Sequence, residues 1–234
     1  MKKIIGVALL CGVLFSSCLF SGNIVEEERT VEAFTGIKSC CGIDVYIAEG
    51  NSSTIRVEAD DVIIDNIVTE VTDSVLNISY RNDTNEKFSW GMKKMSVYVT
   101  AQDLTLIDAS SASDVRSEGE LNAKDIEINA NSAADIFLEL EAENVTCRAN
   151  SGSDITLKGT AFSANVSAAS GANIRMKEMI LNKAVVDASS GSDVDIWVKE
   201  EIEANASSGS DINYYGNPPH AKVSPSSGAD IRKK

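Results

Sequence analysis

The sequence predicts an all-β fold: a single-stranded, right-handed parallel β-helix (a β-solenoid) with a less regular β cap on its N-terminal side. Three observations carry that expectation. A five-residue corner recurs seven times: Ser110-Ser-Ala-Ser-Asp114, Asn131-Ser-Ala-Ala-Asp135, Asn150-Ser-Gly-Ser-Asp154, Ala169-Ser-Gly-Ala-Asn173, Ser189-Ser-Gly-Ser-Asp193, Ser207-Ser-Gly-Ser-Asp211 and Ser226-Ser-Gly-Ala-Asp230. The Asp/Asn positions are spaced by 21, 19, 19, 20, 18 and 19 residues, an internal period of the kind that builds solenoids. Between the corners apolar and polar residues alternate with period two, and no helical stripe interrupts them.

Residues 1–17 read as a secretory leader, with Lys2 and Lys3, an apolar run from Ile4 to Phe15, and small Ser16 and Ser17. The apolar run is too short for a stable membrane span. Cys18 follows, and Leu14-Phe15-Ser16-Ser17-Cys18 resembles a bacterial lipobox, so Cys18 is the expected lipidation site. Residues 18–30, with Glu26, Glu27 and Glu28, read as a tether. The chain is therefore expected in the cell envelope, held to the outer membrane through its N-terminal lipid.

Residues 31–103 form an N-terminal β section outside the repeat. Ile43 to Ile47, Thr54 to Ala59, Val75 to Tyr80 and Met95 to Val99 alternate as strands. Residues 81–92 between them are polar and read as a loop carrying Phe88 and Trp90, two possible surface contacts. An unrepeated section suits the cap that an open solenoid core needs.

Residues 104–234 hold the seven repeats of about 19 residues. One position after each Asp/Asn stand Val115, Ile136, Ile155, Ile174, Val194, Ile212 and Ile231, all β-branched. Seven before it stand Ile107, Ile128, Cys147, Val166, Val186, Ala204 and Val223, and five before it six alanines and Pro225. Together with the Ser three before, these offsets are expected to share the inner face. Such a unit, with two or three short strands, cannot bury its inner face alone. Stacked at about 4.8 Å per rung, the copies cover one another. Gly119, Gly159 and Gly216 mark a second corner. Right-handedness follows from the general preference of parallel crossovers.

Composition narrows the function. With 21 Lys+Arg against 35 Asp+Glu the net charge is −14, which repels phosphate backbones and argues against nucleic acid. One histidine, His220 in a Pro-rich turn, leaves little acid–base chemistry. After Cys18, the odd trio Cys40, Cys41 and Cys147 argues against a disulfide framework. Cys147 falls in an inner column as a small core residue, while Cys40 and Cys41 leave soft-metal or redox work open.

The order of landmarks resembles that of the putative auto-transporter adhesin, head GIN domain family. The residues that carry it are Phe34-Thr-Gly-Ile37, Gly42-Ile-Asp-Val-Tyr-Ile47, Ile55-Arg-Val-Glu-Ala-Asp60, Leu76-Asn-Ile78, Val97-Tyr-Val-Thr-Ala101, the repeated corners, and Tyr215-Gly-Asn-Pro218. The resemblance spans about residues 31–234 and implies a right-handed β-helix, an envelope location and, more weakly, adhesion. It brings no catalytic residues with it.

The Asp column (Asp114, Asp135, Asp154, Asp193, Asp211, Asp230) has two readings. Each Asp caps its own corner as an Asx turn, or the column is a calcium-binding edge. Capping is the expectation, with no cofactor required. The outward bases Arg116, Arg148, Lys158, Arg175, Lys177 and Lys199 are scattered and no outward aromatic track accompanies them, although Phe137 and Trp197 are possible contacts. No catalytic residues are assigned. The expected function is a non-catalytic binding module or adhesin for a glycan or protein. A carbohydrate-active β-helix resembling polysaccharide lyases, and a structural envelope spacer that self-associates through its last rung, are the alternatives.

Overall fold

The structure, a computed structural model, describes residues 23–52, 54–81 and 94–234. The leader, Cys18, and the aromatics Phe88 and Trp90 fall outside the described residues. In chain order the strands are β1 (Ile24–Thr30), β2 (Gly36–Ser39), β3 (Asp44–Glu49), β4 (Thr54–Asp60), β5 (Ile67–Thr72), β6 (Val75–Tyr80), β7 (Met95–Ala101) and β8 (Leu106–Ser110). They continue as β9 (Asp114–Asn131), β10 (Asp135–Asn150), β11 (Asp154–Ala169), β12 (Asn173–Ala188), β13 (Asp193–Ala206), β14 (Asp211–Tyr215), β15 (His220–Pro225) and β16 (Asp230–Lys233).

From β9 upward the chain is a parallel β-solenoid whose rungs stack in register, Asp114 beside Asp135, Asp135 beside Asp154 and Asp154 beside Asn173. Each full rung is one long bent strand, where shorter separate strands were expected. β9 runs 18 residues and β10, β11 and β12 run 16 each. Neighbouring rungs bend together, and the pairing resumes past the bend after a register shift, at Phe137/Glu139 between β9 and β10, Thr156/Lys158 between β11 and β12, and Met176/Ile180 between β12 and β13.

The β-branched column and the column that includes Cys147 both face the interior. Val115, Ile155, Ile174, Val194 and Ile212 are fully buried, as are Ile107, Ile128, Cys147, Val166 and Val186. Burying each large aliphatic side chain is worth about 1.5–3 kcal/mol, and repetition along the stack makes these columns the core. The corner serines of the third column do not join them. Ser151, Ser170, Ser190 and Ser208 are exposed, with φ of +56°, +57°, +56° and +55°. Positive φ breaks the period-two alternation and turns the side chain outward.

The N-terminal section departs from simple sequential stacking. β2 lies between β6 and β8, and β3 lies between β7 and β9, all parallel. Residues 36–49 thus form a complete rung slotted between two segments that are adjacent in sequence, and the 102–105 link steps over it. Its turn, residues 40–43, is an eighth corner: Cys41 and Gly42 have φ of +70° and +69°, like the seven repeated ones. β4 pairs antiparallel with β7, β1 antiparallel with β4, and β5 antiparallel with β6, closing this end of the stack. Residues 24–30, expected as tether, are the outermost strand of that cap. Arg29 seals it by donating to the carbonyl oxygens of Ile67 at 2.5 Å and Ile64 at 3.1 Å.

At the other end β15 pairs with β13 and β16 with β14, and no described strand covers their outer edges. Pro225 and Lys233 occupy that rung at the register of Ala206 and Tyr214. Among the described residues no helix is long and apolar enough to cross a membrane.

Candidate binding surface

The corners are rigid two-residue turns. Both central residues have positive φ in each, from Ser111 (+53°) and Ala112 (+59°) to Ser227 (+51°) and Gly228 (+74°), the geometry of a type I′ turn. At three of the seven corners the brace is not the aspartate, as expected, but the serine one position before it. Ser153 is fully buried, accepts the Asn150 N–H at 3.0 Å and donates to the Ala130 carbonyl of the rung below at 2.9 Å. Ser192 and Ser210 repeat this with Ser189 N–H and Ala168, and with Ser207 N–H and Ala188. A hydroxyl can accept and donate at once, which an ionised carboxylate cannot. That suits serine to this inward position, which Ala134, Ala172 and Ala229 fill in three other corners.

The aspartates project outward as a half-exposed ladder whose members differ electrostatically. Burial first, then the Asp114 and Asp154 carboxylates, push the Asp135 carboxyl above its ordinary range. Asp193 is raised by burial and by Asp211 and Asp195, and Asp44, in the same column, by burial and Asp114. Burial acts in the same sense on Asp154, but the Asn173 amide at 2.7 Å and the Arg175 guanidinium at 2.9 Å outweigh it and hold that carboxyl low. Asp114 pairs with Arg116 at 3.2 Å, and Arg232 bonds Asp230 and reaches Asp211 at 3.6 Å. Among the described residues no group of three or more His, Cys, Asp or Glu converges on one metal position.

Several scattered bases are paired across rungs: Arg148 with Glu127 at 2.5 Å, Lys158 with Glu178 at 2.8 Å, and Lys183 with Glu201 at 3.1 Å. Phe137 is half-buried under the Lys158 ammonium, 5.4 Å from its ring centre. Trp197 stands in another column, between Ile180 and Tyr215. The two expected contact aromatics are therefore not brought together. His220 is exposed at the start of β15.

An outward aromatic pair that the sequence reading missed lies at the cap. Tyr46 and Tyr98 stack with ring centres 5.0 Å apart at 15°, and the Arg56 guanidinium sits 3.7 Å over Tyr98. The Tyr98 hydroxyl donates to Glu58 at 3.1 Å, and Lys94 meets the same carboxylate at 2.6 Å. The only sequence signal is that both tyrosines follow a Val in alternating strands. Stacking on each other and under arginine consumes ring faces that a sugar would otherwise use.

The second half of each rung presents a grooved polar surface. One shallow groove of about 360 Å³ is lined by Asn144, Asn165, Lys183, Val185, Glu201 and Glu203 among others. A second of about 390 Å³ continues toward the last rung past Ser167, Asp187, Asn205 and Ser224. Side chains along this face bond from rung to rung: Asn144 to Asp125 at 2.7 Å, Ser163 to Asn144 at 2.7 Å and Asn205 to Asp187 at 2.9 Å. The face is an ordered array of amide, hydroxyl and carboxylate groups with Val185 as an apolar island, 42% exposed.

Comparison with known proteins agrees with this architecture. The sequence model of the family described as "Putative auto-transporter adhesin, head GIN domain" matches residues 33–218. A putative adhesin from Bacteroides fragilis superposes with a TM-score of 0.81 at 19% identity, covering 91% of this chain and 97% of that one. One from Parabacteroides merdae gives 0.72 at 18% identity, over 92% and 97%. A putative lipid binding protein from Parabacteroides distasonis gives 0.71 at 18%, over 92% and 98%. No curated protein matches.

Proposed function

Since the chain belongs to the putative auto-transporter adhesin, head GIN domain family, we propose that it is a non-catalytic, lipid-anchored adhesin of the cell envelope that binds a hydroxyl-rich glycan along its polar face. The observation that carries the reading is the face itself. Rung-to-rung bonds such as Asn144 to Asp125 fix amide, hydroxyl and carboxylate groups at regular intervals, so little side-chain freedom is lost on binding. Groups that both donate and accept suit a ligand whose hydroxyls do the same. The long, shallow form of the grooves suits a polymer lying across rungs. Leu14 to Cys18 supports the anchor, which would hold the stack at a membrane surface.

The full chain, purified in detergent, is tested on an array of glycans and matrix proteins. Saturable glycan binding, weakened by about tenfold or more in Asn165→Ala/Lys183→Ala, is the expected result. Silence across the glycans, or binding that ignores the double substitution, rejects it. Labelled fatty acid should enter the wild-type chain and not Cys18→Ser, and protease shaving of intact cells reports which side of the membrane carries the domain.

A further inference from the structure

The eighth corner differs chemically from the other seven. Position for position, Cys40-Cys41-Gly42-Ile43-Asp44 aligns with Ser110-Ser111-Ala112-Ser113-Asp114, because β2 pairs with β8 and β3 with β9 in register. Four of the other corners carry a buried serine before the acidic residue, at Ser113, Ser153, Ser192 and Ser210. Here that place is Ile43, which, like Ala134, Ala172 and Ala229 in the other three, has no hydroxyl to brace the turn. The neighbouring rung helps, since Ser113 donates to the Ile43 carbonyl at 2.5 Å. Within the corner the backbone still carries Cys41 at φ +70°, a conformation unfavourable for a side-chain-bearing residue.

Two cysteines stand where the neighbouring corner has Ser110 and Ser111. Cys40 Sγ and Cys41 Sγ lie 2.6 Å apart, far inside ordinary contact between unbonded sulfurs, and both residues are half-exposed, open to a reagent. Cys147, fully buried within the core, is no partner for either. We infer that Cys40 and Cys41 are a covalent modification site, closing into a vicinal disulfide that locks the corner of the rung slotted between cap and repeats. The reaction needs a disulfide oxidant of the glutathione or exported-oxidoreductase class. One thiolate attacks a sulfur of that disulfide and releases a thiol. The second then attacks the mixed disulfide, forming the Cys40–Cys41 bond and releasing the other thiol. Two cysteine protons are lost, and the two electrons end on the reduced oxidant. Burial, and then the neighbouring Cys41, push the Cys40 thiol up to about 12.

Trypsin isolates the pair, because cleavage after Lys38 and Arg56 leaves a peptide from Ser39 to Arg56 with no other cysteine. The purified, reduced full chain is treated with oxidised glutathione, blocked with N-ethylmaleimide and digested. The expected peptide is about 2 Da lighter than the dithiol and unlabelled, and takes two labels after reduction. Two labels without reduction, a stable glutathione adduct, or a link to a second chain would each overturn the inference. The same peptide from cells blocked before lysis should arrive closed. If it arrives as a dithiol although the purified chain closes, the envelope reading above fails and the pair stands.

Discussion

Gly159 lies directly above the carbonyl of Leu140 in the rung beneath, so that a β-carbon on Gly159 would sit 2.2 Å from the Leu140 oxygen. Its φ of +107° is equally closed to side-chain-bearing residues. Corner Gly152 has open space around it, and its φ of +68° is shared by Ala112 and Ala133 at the equivalent turns, at +59° each. Gly159→Ala should cost more than about 3 kcal/mol, since backbone must move. Gly152→Ala should cost about 1 kcal/mol. Thermal or denaturant unfolding of the two variants checks this, and equal losses would refute the stacking of the second corner.

The acidic ladder predicts a pH signature. The folded-state pKa of Asp135 is raised, so the native state holds that proton more tightly than the unfolded chain does. Ionisation of Asp135 therefore costs stability at neutral pH, and the loss is recovered as pH falls through the raised value. Asp154 has the opposite sign: its contribution is present above the ordinary carboxylate range and is lost as pH falls through its lowered folded value. Asp135→Asn should raise stability at pH 7 slightly, by less than about 1 kcal/mol because the group is largely solvated, and the gain should fade near pH 4 or in high salt. Asp154→Asn should lower it at pH 7. Finding the two variants in reverse order at neutral pH would contradict the assignment.

The open last rung is guarded. Lys233 stands over the inward column of Met176, Ile196 and Tyr214, where an apolar residue would offer a dry surface to another chain. Pro225 removes a backbone donor in a rung whose outer edge no described strand covers. The double variant Pro225→Ala/Lys233→Ile should associate with rising concentration under conditions where the parent does not. Light scattering on both proteins decides it, and a double variant no more associated than the parent rejects the guard role.

Cys147 should behave as a core aliphatic. Complete burial pushes its thiol up to about 12, so Ellman's reagent should reach it only after unfolding. Cys147→Val, matching Val166 beside it, should change stability by less than about 1.5 kcal/mol. Rapid labelling of the native protein at Cys147 would show that the column is not dry.

The repeats were largely legible because each rung restates the same physical problem. Ile155, Ile174 and Val194 recur where a side chain must face inward, and the Ser-Gly pairs recur where two residues must take positive φ. The roles inside the corner were less legible. Serine and aspartate sit side by side in Ser153-Asp154, and both can cap a turn. Only the stacking of rungs puts the Ser153 hydroxyl against Ala130 and sends the Asp154 carboxylate to Asn173 and Arg175. The polar face was hidden for a related reason: Asn144, Lys183 and Asn205 look like ordinary outward polar residues until stacking lines them up.

The sequence by itself determined the strand content, the 19-residue pitch and the apolar columns, since these follow from side-chain alternation and local turn chemistry. Tertiary structure alone decided that residues 36–49 slot between β6–β7 and β8–β9, that Cys40 and Cys41 stand at an eighth corner, and that Tyr46 meets Tyr98. Each depends on which rung lies next to which. Backbone pairing specifies a partner by geometry and carries almost no side-chain signature, so such neighbours are set only when the whole stack closes on its core.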